Sequence, residues 1–362
     1  MPQARGARPS GSSGEEGSTL RDRLIARIRR DGPITVAQYM DACLHDQEAG
    51  YYATRPGLGA KGDFITAPHV SQMFGELMGL WAAEVWIRLG RPARVRLVEL
   101  GPGDGTLMSD ALRAVRIAPG FRDAAEIVLV ETSAPLRKRQ LAALDGHAPR
   151  WLSAIGDIDA GAPVIILGNE FLDCLPIRQA VRRADGWRER RIGIDGSGRL
   201  SFAASQPVDG PDVPEGAVLE WSTELVAMGS ALGALVAREG GAALLVDYGR
   251  SKPAYGDTLQ ALRGHHKEDP LAHPGLADLT AHVDFPAFLT AAEATGVQVS
   301  PVEFQGDFLR RLGIEERAAG LGRAHPEQAE KIGRQLARLI APDQMGELFK
   351  VARIAAPGLE LP

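Results

Sequence analysis

Apolar residues in this chain follow two alternating registers. Short, mainly apolar runs at 95–100, 127–130, 164–167 and 242–246 are bounded by Gly, Pro or Asp and predict fully buried strands. Helical spacing separates several of them, so right-handed crossovers and a mostly parallel, doubly wound sheet with both faces covered are expected. Upstream, Leu20, Leu24, Ile25 and Ile28 predict a helix over 20–30 that stops at Asp31, Gly32 and Pro33. Val36, Tyr39, Met40, Cys43 and Leu44 form the buried stripe of a second helix, with Thr35 as its cap. A glycine-rich stretch, 55–63, precedes a long helix predicted over about 71–89.

Alternation with period two returns at 177–183, 187–194 and 200–204, joined by Asp185-Gly186 and Asp195-Gly196-Ser197-Gly198, which are hairpin turn signals. An inserted antiparallel flap is expected there. Beyond it, helices are predicted at 285–295, 308–319 and 327–339, and a last strand at 348–354, paired with 297–304. The predicted organisation is a tail over 1–18, a helical cover over 19–90 and the cofactor-binding half of the sheet over 91–176. The inserted region then spans 177–240, and 241–362 completes the sheet with C-terminal helices.

Composition narrows the class. The chain has 362 residues, 44% hydrophobic and 24% charged, which is ordinary for a globular protein. A net charge of −5 without a Lys/Arg block gives no footprint for a nucleic-acid backbone. Residues 1–18 hold almost nothing apolar and are expected to be a mobile tail without a secretory signal. No run reaches the ~18 apolar residues of a spanning helix, so membrane insertion is not expected. Cys43 and Cys174 lie far apart without zinc-site neighbours, which suits a reducing cytoplasm, or a mitochondrial matrix if the source is eukaryotic.

The segment richest in chemistry runs from the first strand into a helix through Glu99, Gly101, Gly103, Asp104 and Gly105. Three glycines at alternate positions let the backbone turn sharply and let a ligand approach without Cβ obstruction. The spacing departs from the dinucleotide fingerprint, because Thr106 stands where its third glycine would fall. Glu99 and Asp104 would also oppose a pyrophosphate, whereas S-adenosylmethionine presents an ammonium and a sulfonium. Glu131, at the tip of the second strand, is placed to accept hydrogen bonds from ribose hydroxyls. Asp157 and Ile158 either flank the adenine or form an ordinary polar loop. At the matching edge of the next strand, Asn169, Glu170 and Asp173 face the position from which a methyl group would leave. Glu170 and Asp173 either grip a cation like a fork or simply cap a helix. Tyr51-Tyr52 and Asp247-Tyr248-Gly249 read as packing, with Asp247 at the same sheet edge. His265, His266, His273 and His282 lack ligand spacing, so no metal is expected.

Four segments then carry a family resemblance: Gly62, Asp63, Phe64, Ile65, Thr66, Ala67 and Pro68 continuing to Phe74-Gly75-Glu76; 99–107; 169–176; and 278–285. The chain resembles the MidA-like class I S-adenosylmethionine-dependent methyltransferases, the group containing the mitochondrial protein arginine methyltransferase needed for respiratory complex I assembly. His69 departs from that pattern, which carries Glu after the proline. The resemblance implies a Rossmann-like α/β sheet with an N-terminal helical cover and an inserted β flap. It also implies that Gly62, Asp63, Phe64 and Thr66 sit on a loop closing over the cofactor, and that the acceptor is an arginine in an NADH dehydrogenase subunit. Two other functions stay open: a small-molecule methyltransferase, and a cofactor-binding assembly factor without transfer activity.

Overall fold

A computed structural model describes residues 19–54 and 65–362. The expected tail and the positions Gly62, Asp63 and Phe64 lie outside the described residues.

The central sheet runs, from one edge to the other, Gln298–Val299, Phe349–Ala355, Gly241–Arg250, Val164–Asn169, Val95–Leu100, Ala125–Val130, Arg150–Leu152. The five from Gly241–Arg250 to Arg150–Leu152 are mutually parallel, while Phe349–Ala355 is antiparallel to its neighbour. Side chains on these strands alternate between two cores. Leu97, Leu129, Ile165 and Leu244 pack with helix Gln72–Arg88 and helix Thr106–Ala114 on one face. Val98, Val128, Ile166 and Leu245 pack with helix Thr223–Glu239 and helix Phe285–Glu293 on the other. The chain is thus α/β, a class I methyltransferase-like doubly wound sheet. Its first three parallel strands step outward to one side, and the fourth returns to the other side of the first. That reversal opens a crevice at the carboxyl ends of Val95–Leu100 and Val164–Asn169, where open α/β sheets take ligands.

A second layer adjoins this sheet. Strands Arg178–Arg183, Gly186–Ile194, Leu200–Val208 and Val218–Trp221 form an antiparallel sheet, extended by Ile34–Thr35. Helices Leu20–Asp31 and Val36–His45 pack on it through Leu24, Ile28, Tyr39 and Leu44. Both begin with capping boxes, Thr19 with Asp22 and Thr35 with Gln38, which explains their sharp starts.

Several elements differ from the sequence pattern. The helix expected over 308–319 is two, Gln305–Arg311 and Ile314–Ala324, because Gly313 at φ +87° breaks the run. The strand expected over 200–204 continues to Val208. A small sheet of Gln260–Arg263, His266–Glu268 and Asp278–Thr280 forms where the polar, His-containing sequence gave no strand signal. Both cysteines are free and buried. No described helix is long and apolar enough to cross a membrane.

Candidate active site

A cavity of roughly 350 Å³ occupies the crevice. Its floor is the glycine turn. Gly101, Gly103 and Gly105 have φ values of +57°, +55° and +89°, so the turn uses the left-handed region three times within five residues. Glu99, on the last turn-facing position of the strand, is buried, and its Oε2 has no hydrogen-bond partner among the described residues. Burial and the Asp104 carboxyl push Glu99 up to about 8, against one amide bond from Met108. A buried carboxyl that lines the cavity beside a glycine turn, with one oxygen free, suits a ligand that brings positive charge and hydrogens to donate.

Asp104 behaves oppositely. Burial raises it, but His69 Nε2 at 2.9 Å and the Thr106 amide and hydroxyl at 3.1 and 2.7 Å outweigh burial and hold it near 2. An ionised Asp104 only accepts, so His69 Nε2 carries hydrogen, and Nδ1 shares a hydrogen bond of 2.7 Å with the Thr66 hydroxyl.

Glu131 lines the next wall. Its Oε1 accepts from the Ser133 amide at 2.7 Å and its Oε2 from Gln140 Nε2 at 3.2 Å. The same Gln140 amide donates to the Gly103 carbonyl at 2.8 Å, while its Oε1 accepts from Trp151 Nε1 at 2.7 Å. One fully buried glutamine therefore sets the distance between Glu131 and the glycine turn. Sequence reasoning missed Gln140, whose partners meet it only in the folded chain.

The expected pair Asp157 and Ile158 does not reach the cavity. Asp157 is exposed, its Oδ2 accepting the Ala154 amide at 3.0 Å, and Ile158 is buried in the core beneath. A short 3-10 turn at Ile155–Asp157 carries the chain away, and Ser153, Ala154 and Ile155 line the wall instead.

On the far wall stand Asn169 and Glu170. Glu170 has φ +50°, unusual for a residue with a side chain, and its Oε1 accepts from the Ala67 amide at 3.1 Å and Asn169 Nδ2 at 3.0 Å. Burial and the neighbouring Asp173 push its carboxyl up to about 8. Asp173 itself is absent from the cavity wall. It is buried behind the turn beside the Tyr248 hydroxyl, and burial raises it to about 6. The fork of Glu170 with Asp173 is thus not formed on the open surface, because the left-handed step at Glu170 turns the two carboxyls in different directions.

The N-terminal cover completes the enclosure. His45 and Tyr52 stack with ring centroids 5.8 Å apart and line the cavity, and the Tyr52 carbonyl accepts from Ser133 Oγ at 3.0 Å. Read as packing from the sequence, Tyr52 is a wall of the site. The described lining holds four carboxyl groups, Glu99, Asp104, Glu131 and Glu170, and neither Lys nor Arg. Among the described lining residues a pyrophosphate would find no Lys or Arg to pair with.

The comparisons with known proteins agree with this geometry. Residues 77–302 match the sequence model of a family described as S-adenosyl-L-methionine-dependent methyltransferase. A Danio rerio protein named "Protein arginine methyltransferase NDUFAF7, mitochondrial" is 34% identical over 97% of this chain and 90% of its own length. Its Drosophila melanogaster homologue is 36% identical over 94% and 86%. A Burkholderia thailandensis protein crystallised with S-adenosyl-homocysteine superposes with a TM-score of 0.83 and 30% identity, covering 94% of this chain and 92% of that one.

Proposed function

Since this chain belongs to the family of S-adenosyl-L-methionine-dependent methyltransferases, with S-adenosylmethionine as its cofactor, we propose that it methylates an arginine side chain of a protein. The observation that carries this reading is the cavity lined by four carboxyl groups, with neither Lys nor Arg among the described residues. Such a lining favours a cationic donor and a cationic acceptor together. The names of the relatives point to arginine as that acceptor.

The cofactor supplies a methyl group on a sulfonium, and the protein's task is alignment and exclusion of water. Glu99 and Asp104 would face the ammonium and sulfonium end. Gly101, Gly103 and Gly105 would let the backbone approach, Glu131 would accept from the ribose, and Ser153, Ala154 and Ile155 would flank the base. Thr66 would close the side on which the short helix Ala67–Val70 begins.

Guanidinium stays protonated up to a pKa above about 12, so its nitrogen must be oriented before it attacks. Glu170 would grip it through a charged hydrogen bond, and Asn169, whose buried Oδ1 has no partner among the described residues, would take a second N–H. A guanidinium in this place would hold Glu170 ionised despite its burial. Asp173, behind the turn, is left out of the grip.

The family resemblance makes a subunit of NADH dehydrogenase the first acceptor to try. Tritiated methyl transfer should label that recombinant subunit and an arginine peptide library, and not the same peptides with Lys for Arg. Glu170→Gln should lower the transfer rate about 100-fold while S-adenosylhomocysteine affinity by calorimetry stays within about threefold. Labelling of small metabolites alone, or full activity in the Gln variant, would overturn the reading.

A further inference from the structure

The turn that carries Glu170 is held by two adjacent residues of another strand. The Glu170 amide donates to the Val246 carbonyl at 2.9 Å. The next three amides, of Phe171, Leu172 and Asp173, all donate to Oδ2 of Asp247, at 3.1, 2.8 and 3.1 Å. Asp247 Oδ1 accepts from the Tyr248 amide at 2.9 Å, and the side chain is 1% exposed. Successive amides converging on one oxygen form a nest, a concave backbone that takes acceptor oxygens, and here a carboxyl oxygen of the protein itself fills it.

We propose that Asp247 is a positioning residue for methyl transfer: by filling this nest it fixes the left-handed step at Glu170 and so aims the Glu170 carboxyl into the cavity. Left-handed backbone at a residue with a side chain persists only where the surroundings over-determine it. Four consecutive amides tied to Val246 and Asp247 supply that determination. Neither residue lines the cavity, so Asp247 acts through Glu170 and not on the acceptor. The inference rests on the reading of Glu170 as the acceptor's grip.

Asparagine is a sharp probe of this arrangement. With its oxygen in the nest, its amide hydrogens face the Tyr248 N–H; flipped, they face the three nest amides. Either way a donor meets donors. Glutamate keeps the carboxyl with one extra methylene, so it should fill the nest imperfectly and restore part of the function.

The test is a double-mutant cycle on methyl transfer to the arginine peptide library, run with Asp247→Asn, Asp247→Glu, Glu170→Gln and the Asp247→Asn/Glu170→Gln double variant. Asp247→Asn should lower kcat by about 30- to 100-fold, Asp247→Glu by less, and the double variant by no more than about threefold beyond Glu170→Gln alone. S-adenosylhomocysteine affinity should stay within about threefold of wild type in all four, which also shows that they fold. Multiplying losses in the double variant, or an unchanged kcat in Asp247→Asn, would overturn the positioning role while leaving Glu170 as the grip. An unchanged rate in Glu170→Gln would overturn the grip itself and the inference with it. Should Asp247→Asn fail to fold, the same cycle with Asp247→Glu decides by the same criteria.

Discussion

His69 Nε2 lies 2.9 Å from Asp104 Oδ2, so one side-chain pair joins helix Ala67–Val70 to the glycine turn. Its carboxyl partner is the most acidic group in the cavity, held near 2 against burial chiefly by that contact and by Thr106.

His69→Ala should therefore weaken S-adenosylhomocysteine binding by about tenfold in calorimetry, since the turn loses its tie to the cover. The acid limb of stability should move as well. Asp104 titrates below its ordinary 3.8, so its contribution is present above that value and is lost as pH falls toward 2. Without His69 its folded value rises toward the unfolded one and the contribution shrinks. Urea melts at pH 5 and pH 2.5 should differ less in the variant than in wild type.

Glu99 gives the opposite sign. Its folded value, about 8, lies above its ordinary 4.5. Its contribution to the ligand-free protein is complete below 4.5 and is lost as pH rises through 8. A cationic ligand needs the ionised form, so below pH 8 binding must expel a proton. S-adenosylmethionine affinity should rise with pH between about 6 and 7.5, approaching tenfold per unit, with proton release visible as a buffer-dependent heat. Glu99→Gln should flatten both responses; a slope that survives the substitution would assign the titration elsewhere.

Gln140 is the buried coupler between the nucleoside wall and the turn. Gln140→Leu leaves the Trp151 N–H and the Gly103 carbonyl without partners, which should cost about 1–3 kcal/mol in urea denaturation. It also removes a donor that opposes the upward push of burial on Glu131. Adenosine alone should then lose about as much affinity as S-adenosylhomocysteine, because the damage falls on the ribose side. Loss confined to the methionine end would contradict that assignment.

Much of this arrangement is written locally in the chain. Mainly apolar runs gave the parallel strands because both of their faces are covered, and the glycines with Glu99 gave the turn because few other residues adopt those φ values. Glu131 and Glu170 were legible as acids at strand ends. What escaped depends on contacts distant in sequence. Asp173 lost its place on the wall through one left-handed step at Glu170, a conformation that a glutamate in a sequence does not announce. Asp157 was carried outward by the 3-10 turn that begins at Ile155. Gln140, Tyr52 and Asp247 matter through partners 37, 81 and 74 to 76 positions away, and no local pattern encodes those meetings.

Gly101 joins the two halves of the site and allows a last test. A Cβ there would come 2.9 Å from Phe171 Cδ2, on backbone at φ +57°. Alanine in the left-handed region costs about 1–2 kcal/mol wherever it occurs. Gly313, left-handed at φ +87° and ψ +33° with no atom nearer than 3.5 Å to an added methyl, isolates that backbone cost. Gly313→Ala should lose stability in urea melts and keep both S-adenosylhomocysteine affinity and transfer rate. In Gly101→Ala the Phe171 ring must swing away while its amide stays bound to Asp247, so the strain passes to the adjacent Glu170. The expected result is a stability loss close to that of Gly313→Ala with a fall in kcat of at least about tenfold beyond any change in cofactor affinity. Equal kinetic behaviour of the two variants would show that Phe171 yields without disturbing the acceptor side, and that the glycine serves the turn alone.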